Sequence, residues 1–184
     1  AVIMQAAQEN DAVIIFVVSE DRSLFPFSVR MHLVREGVAD LPNVAVVPAG
    51  DYSVSQATFP AYFTRTEDVP DAQTRLDATI FAARIAPAVG ITSRYAGEEP
   101  YCPVTAKYNQ TMAEVLPALG IEFKVIPRFA VAGDYVSASK VREMLKNDAW
   151  EDIIRVVPET TYRFLRSDAA RPIIEKIKQS VSRH

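Results

Sequence analysis

From Ala12 to Val18 every residue is apolar, and from Val13 onward each one is β-branched or aromatic. A strand with one wet face would break such a run with polar residues, so this one reads as buried on both sides. It needs helices above and below it, and the chain supplies them in alternation. A helix is predicted from Pro26 to about Val38, with Val29, Leu33 and Val34 on one stripe, and a strand follows at Val44–Val47. A long helix is predicted from Asp71 to about Ala86. Its expected core face is Leu76, Ile80 and Ala83, adjoined by Phe81 and Ile85, and Pro87 and Gly90 punctuate its end. Ile91–Tyr95 reads as a third strand, and Thr105 to about Leu116 as a helix closed off by Pro117 and Gly120. A fourth strand, Ile121–Ile126, alternates with Glu122 and Lys124, which places it at or near an edge. From Ser137 the chain is helical in short pieces, broken at Pro158 and Pro172.

Strand–helix–strand repetition implies parallel pairing through right-handed crossovers. The expected architecture is a doubly wound α/β parallel sheet with C-terminal helices. Residues 1–166 would form the domain. Ser167–His184 would be a charged helical appendage with Ile173, Ile174 and Ile177 on its apolar side. A chain of 184 residues fits one such domain. The helix at Ala1–Gln8 has no start signal, neither a capping residue nor a first-turn proline, which suggests residues upstream. The balance of 20 Lys+Arg against 23 Asp+Glu, a net charge of −3, argues against a general nucleic-acid binder. One cysteine, Cys102, rules out an intramolecular disulfide and fits a reducing compartment. No apolar run is long enough to span a bilayer and no signal peptide is visible, so the expectation is a cytoplasmic protein that needs no membrane.

In a sheet of this kind ligands sit beyond the carboxyl ends of the strands, so the loops leaving the strands are where chemistry is sought. The sharpest signal is Val136-Ser-Ala-Ser-Lys-Val-Arg142. Two hydroxyls, Ser137 and Ser139, followed by Lys140 and Arg142, open a helix directly after a loop. Free N–H groups at a helix start attract anions, and a guanidinium fork suits phosphate oxygens. A serine cap is the competing reading, although cations in a first turn oppose the helix dipole. Spacing alone leaves both open. Gly97-Glu-Glu-Pro100 offers a close backbone approach at Gly97 and a carboxylate at Glu99 that could hold a ribose hydroxyl; an ordinary polar turn is the commoner meaning of that pattern. Tyr108 and Asn109, just beyond, could stack on a base or could be helix surface. Ser19-Glu-Asp-Arg-Ser-Leu-Phe-Pro-Phe-Ser-Val-Arg30 places Arg30 early in a helix, where a surface salt bridge is the competing role. The stretch from Ser53 to Phe63 is aromatic and hydroxyl-rich, and Phe59, Tyr62 and Phe63 could equally pack a subsidiary core.

Other chemistries lack their parts. The histidines are His32 and His184, too few for a His-rich metal site, and no metal site is expected. There is no Gly-x-Gly-x-x-Gly, no Walker loop and no Gly-x-Ser-x-Gly elbow. Cys102 has no base near it in sequence and reads as an inert thiol.

Taken together, the loops resemble one family. Ser-Ala-Ser-Lys-Val-Arg resembles the Ile-Ser-x-Ser/Thr-x-x-Arg element of the adenylyl- and cytidylyltransferase superfamily. More narrowly, the chain is similar to the catalytic domain of the citrate lyase ligase family. Phe25-Pro-Phe27 with Arg30, Ala57-Thr-Phe-Pro-Ala-Tyr-Phe63, Ile85-Ala-Pro-Ala-Val-Gly-Ile91, Gly97-Glu-Glu-Pro100, Val104-Thr-Ala-Lys-Tyr-Asn109 and Val136–Arg142 carry the resemblance, in order and spacing, from Ala1 to about Leu165. It implies a Rossmann-like nucleotidyltransferase fold and an ATP-dependent acid–thiol ligase. Such enzymes use ATP, with Mg²⁺, and acetate to acetylate the thiol of the phosphoribosyl-dephospho-CoA group on the citrate lyase acyl carrier subunit, releasing AMP and diphosphate.

By that resemblance, Ser137, Ser139, Lys140 and Arg142 would hold the phosphates, and Gly97, Glu99 and Tyr108 would face the ribose and adenine. Arg30 and the Ser55–Phe63 loop would lie near the acyl group or the prosthetic arm. Ser139, Arg142 and Arg30 are the catalytic candidates. The family's first strand and its His-x-x-His-type element would lie upstream of Ala1. That strand is central, so a sheet without it would be split. A nucleotidyltransferase acting on a phosphorylated acceptor, or an inactive nucleotide-binding scaffold, is the alternative.

Overall fold

A computed structural model describes residues 2–21, 23–51, 53–55, 57–60, 71–128, 130–131 and 134–180. Helix α1, Val2–Glu9, ends at Asn10 and Asp11, where the sequence places its end. Strand β1, Val13–Val17, leads through α2, Phe27–Gly37, to β2, Val44–Pro48. The two strands pair in parallel, from Val13 opposite Val44 to Val17 opposite Pro48. Helix α3, Asp71–Ile80, continues through a π-helical turn at Phe81–Ile85 into α4, Ala86–Val89, which stops at Gly90 in the left-handed conformation (φ 69°). Strand β3, Ser93–Gly97, then crosses over through α5, Pro103–Ala118, to β4, Glu122–Ile126, and these also pair in parallel.

The alternation therefore produces the parallel α/β class. The ladder itself is divided: β1 pairs with β2 and β3 with β4, in two separate two-stranded sheets. Beyond them the chain makes a short antiparallel ladder of β5, Ala130–Val131, with β6, Asp134–Tyr135, which the sequence pattern did not signal. Four short helices follow: α6, Ala138–Lys146; α7, Trp150–Val156; α8, Glu159–Leu165; and α9, Arg171–Gln179. In a two-stranded ladder both strands are edges, and Val125 of β4 is 46% exposed. No helix of the described residues is long and apolar enough to cross a membrane.

The last turn of α1 ties the two strand pairs to each other. Asn43, just before β2, donates to the carbonyls of Ala7 and Asn10 at 2.9 and 3.0 Å. Asn10 in turn donates to the Tyr95 hydroxyl on β3 at 3.0 Å. Below them runs one apolar cluster, built on Phe59, Ala78, Phe81, Met112 and Leu116, against which Phe16 of β1 and Val18 just after it pack. The Phe16 and Phe81 rings meet edge to face at 6.4 Å. A second cluster, Leu145, Ile153, Leu165, Ile173 and Ile177, holds α6 to α9 together against Val29 of α2.

One core face differs from expectation. The apolar stripe of Leu76, Ile80 and Ala83 was expected inward, yet Leu76 is 49% exposed. The buried face is Thr74, Asp77, Ala78, Phe81, Ala82 and Ala86. It carries a carboxylate and a hydroxyl that the interior satisfies with hydrogen bonds, which offsets the desolvation that keeps such groups outside.

Glu9 fastens α1 to β3 and β4. It accepts from Gln5 at 2.8 Å, from the Tyr95 hydroxyl at 2.7 Å and from Lys124 at 3.0 Å. These bonds hold its carboxyl at about 2, against an ordinary 4.5. A carboxyl depressed in the folded state stabilises it fully above the ordinary value and loses that stabilisation as the pH falls towards 2. Glu9→Gln is expected to melt below wild type at pH 7 and to converge with it near pH 2. Melting curves that stay parallel down to pH 2 would remove this carboxylate from the account.

Candidate functional site

The start of α6 settles which serine is the cap. Ser137 is extended (φ −141°, ψ 155°), and its hydroxyl accepts from the Lys140 backbone N–H at 3.1 Å. Ser139, inside the first turn, instead accepts from the Arg142 guanidinium at 3.1 Å. The first turn holds no acid. Lys140 and Arg142 thus stand near the positive end of a helix dipole, where acids are the usual residues.

The turn after β3 is the next part. Gly97 accepts through its carbonyl from the Asn109 amide at 3.0 Å. Glu99 reaches back to the start of α5 and accepts from the N–H groups of Tyr101 and Cys102 at 3.0 and 3.1 Å. Its other oxygen lies 3.0 Å from the Arg128 guanidinium. Burial alone would raise the Glu99 carboxyl; the Tyr101 N–H, the Arg128 side chain and the Cys102 N–H outweigh it and hold the group below the ordinary carboxylate range. Arg128 also donates to the Val136 carbonyl at 3.1 Å, one residue before the α6 cap. Arg128 thus links the Gly97–Glu99 turn to Val136, the residue before the Ser137 cap of the helix that carries Ser139, Lys140 and Arg142.

Arg30 lies in the other strand pair. Its guanidinium donates to the carbonyls of Val18 and Glu20 at 2.7 Å each and of Phe25 at 3.1 Å. It shapes the loop leaving β1 from within. Arg22 in that loop lies outside the described residues, as do Gln56, Ala61, Tyr62 and Phe63 of the loop leaving β2. Phe59 in the latter is fully buried in the main core.

Tyr108 is 5% exposed, not a platform on the surface. Its ring packs 5.2 Å from that of Phe59, and its hydroxyl donates to the Asp77 carboxylate. Burial, together with that carboxylate, pushes the phenol well above its ordinary value. Asp77 also accepts from the Val54 N–H at 2.7 Å and the Thr58 hydroxyl at 2.6 Å. Arg94 donates to the Tyr108 hydroxyl at 3.2 Å, and its guanidinium lies 4.2 Å from the Phe81 ring centre. Sequence reasoning missed Asp77, Arg94 and Arg128. One signal was available for Asp77: a lone carboxylate four residues before Phe81, on the face of a helix that otherwise carries Ala78 and Ala82.

Among the described residues no three His, Cys, Asp or Glu side chains gather to hold a metal ion. Cys102 is a free thiol at the start of α5, and His32 is an exposed helix residue whose ring lies 6.4 Å from that of Phe164.

The described residues thus define a parallel α/β domain whose strands are followed by a serine-capped helix with Lys140 and Arg142 near its start. The chain belongs to the citrate lyase ligase C-terminal domain family, which matches residues 1–165. It is 39% identical over 166 residues to a citrate (pro-3S)-lyase ligase of Klebsiella pneumoniae, covering 88% of this chain and 48% of that protein. It is 39% identical over 171 residues to the ligase of the same name from Escherichia coli (strain K12), covering 90% and 49%. A third, from Haemophilus influenzae, is 37% identical over 171 residues, covering 89% and 51%. The chain spans about half the length of the curated relatives it matches.

The two serines are separable. Ser137→Ala removes the cap and should cost about 1 kcal/mol of stability. Ser139→Ala, in an exposed pair, should stay within about 0.5 kcal/mol of wild type. Urea denaturation of both variants checks the assignment; equal losses would refute it.

Proposed function

We propose that this domain binds ATP and activates acetate as acetyl-adenylate, within a ligase that then acetylates the thiol of the phosphoribosyl-dephospho-CoA group on the acyl carrier subunit of citrate lyase. The observation that carries the reading is the α6 start, where the Ser139 hydroxyl and the Arg142 fork meet at 3.1 Å beside the Ser137 cap. Membership of the family supplies the reaction class.

The first step forms an oxygen–phosphorus bond between acetate and the α-phosphorus and breaks the bond to the β-phosphate oxygen. Diphosphate leaves in line. Such a transfer needs positioning and charge neutralisation more than covalent help. Ser137, Ser139, Lys140 and Arg142 hold the β- and γ-phosphates as they leave. Gly97 and Glu99 frame the ribose and adenine, Glu99 by fixing the turn. Tyr108 acts from beneath, through Asp77. Arg30 and the loop after β2 serve the acyl group or the prosthetic arm. Mg²⁺ bound with the ATP would share the charge of its phosphates. The thiol then attacks the acetyl carbon and AMP leaves.

The two parallel strand pairs belong, on this reading, to one doubly wound sheet. Both run parallel, α1 binds to each, and a strand between β1 and β3 would join them.

Exchange of diphosphate into ATP, measured on the full-length protein that contains this domain, tests the proposal. Acetate-dependent exchange is expected. Ser139→Ala and Arg142→Ala should each weaken ATP binding by about tenfold, as loss of one charge-assisted contact does. Exchange without acetate would point to a nucleotidyltransferase instead, and ATP binding without exchange to a nucleotide-sensing domain.

A further inference from the structure

Helix α6 is exposed where it starts and gripped where it ends. Ala138 and Ser139 face solvent, and the buried residue of the helix is Leu145, in its last turn. Leu145 is fully buried in the cluster that Ile173 and Ile177 of α9 help to build, and α9 packs directly on α6. Helix α9 lies beyond Leu165, where the family match ends. Two lysines are exchanged between the helix ends. Lys146, the last residue of α6, donates to the Ser180 carbonyl just after α9. Lys178 of α9 donates to both carboxylate oxygens of Asp148, two residues after α6, at 2.7 and 2.6 Å. Each helix thus receives a cation from the other at its negative end. Asp148 needs that support. A carboxylate there opposes the dipole of α6, and its backbone is left-handed (φ +52°), a conformation that costs a residue other than glycine. Such strain persists where the surroundings over-determine it. Here they are Lys178 and the Ala149 N–H, which closes the turn on the Met144 carbonyl at 2.9 Å.

We propose that residues 171–180 set the direction in which α6 points, and that Lys146 and Lys178 are positioning residues for the phosphate tail, although both stand at the opposite end of the helix from it. This rests on the ligase reading above, in which the α6 start holds the β- and γ-phosphates. A helix is stiff along its axis, so the grip on its last turn decides where its first turn lies. Nine residues at 1.5 Å each make a rod of about 13 Å, and a tilt of roughly 10° at Leu145 would carry the first turn about 2 Å. A displacement of that size is enough to spoil a charge-assisted contact to a phosphate oxygen.

The experiment uses the full-length protein that contains this domain, and reads the Kd of ATP, the Kd of AMP and the melting temperature. AMP lacks the β- and γ-phosphates and serves as the control for the tail. Lys178→Met should raise the ATP Kd about threefold, and Lys146→Met with Lys178→Met about tenfold, as loss of preorganisation does. The AMP Kd should stay within about twofold of wild type, and the melting temperature within about 3 °C, because exposed ion pairs add little to folding. Lys178→Arg should restore the ATP affinity. Asp148→Gly separates positioning from stability: it relieves the left-handed strain while removing the partner of Lys178. Its ATP Kd should rise about threefold with no fall in melting temperature. An unchanged ATP Kd in Asp148→Gly and in the double variant overturns the strap. ATP and AMP affinities falling in step, or falling only as the melting temperature falls, would mean a merely structural contact. A wild-type protein that binds ATP but shows no acetate-dependent diphosphate exchange defeats the ligase reading alone, and the comparison of ATP with AMP still judges the strap.

Discussion

Two parallel strand pairs that share no ladder hydrogen bond must be held in register by something else. Here it is a pair of asparagines and one apolar cluster. Asn43 and Asn10 spend their amides on the carbonyls left over at the end of α1 and on Tyr95 of the other strand pair. A helix end always leaves such carbonyls unpaired, so the junction answers a need that exists anyway. The Phe16–Phe81 contact does the same from below, placing a β1 side chain in the core that the β3–β4 crossover helix builds. Where β1 ends relative to β3, and so where their loops open, follows from these contacts.

The carboxyl edge divides by chemistry. On the β3–β4 side Arg128 joins the Glu99 turn to the residue before the α6 cap. On the β1–β2 side the loops are shaped from inside: Arg30 gathers carbonyls of the first loop, and Asp77 gathers donors of the second. Both are charged side chains spent on main-chain groups and hydroxyls. Charged donors and acceptors make shorter, stronger bonds than neutral ones. Irregular backbone at a strand end, with no ladder to satisfy it, needs that kind of support.

The alternation of strands and helices was legible because it rests on local pattern: the unbroken Ala12–Val18 run and the glycine stop at Gly90 appear where expected, whereas Pro87 and Pro117, expected to close their helices, lie inside them. The Val136–Arg142 element was legible as a helix start, and its two readings divide between neighbours, with Ser137 as the cap and Ser139 on Arg142. What escaped the sequence depends on partners far along the chain. Asp77 looks like a surface residue until Val54, Thr58 and Tyr108 are placed around it, and Leu76 looks like core until that happens. Tyr108 and Asn109 were read as one pair, but one is buried on Asp77 and the other holds Gly97. The division of the ladder into two pairs is not recorded by hydrophobic periodicity; the family resemblance is what implied a split sheet.

The starts of α5 and α6 open at the same edge, and each carries the partial positive charge of a helix dipole. They are dressed oppositely. At α5 a carboxylate sits on the first amides and is itself matched by Arg128, so that end is already neutralised. At α6 the cap is an uncharged hydroxyl, with two cations in the turn behind it. A polyanion drifting across this edge meets a gradient with one low end. On the proposed reading, that asymmetry would set a polarity for a bound guest, with its charged tail towards α6.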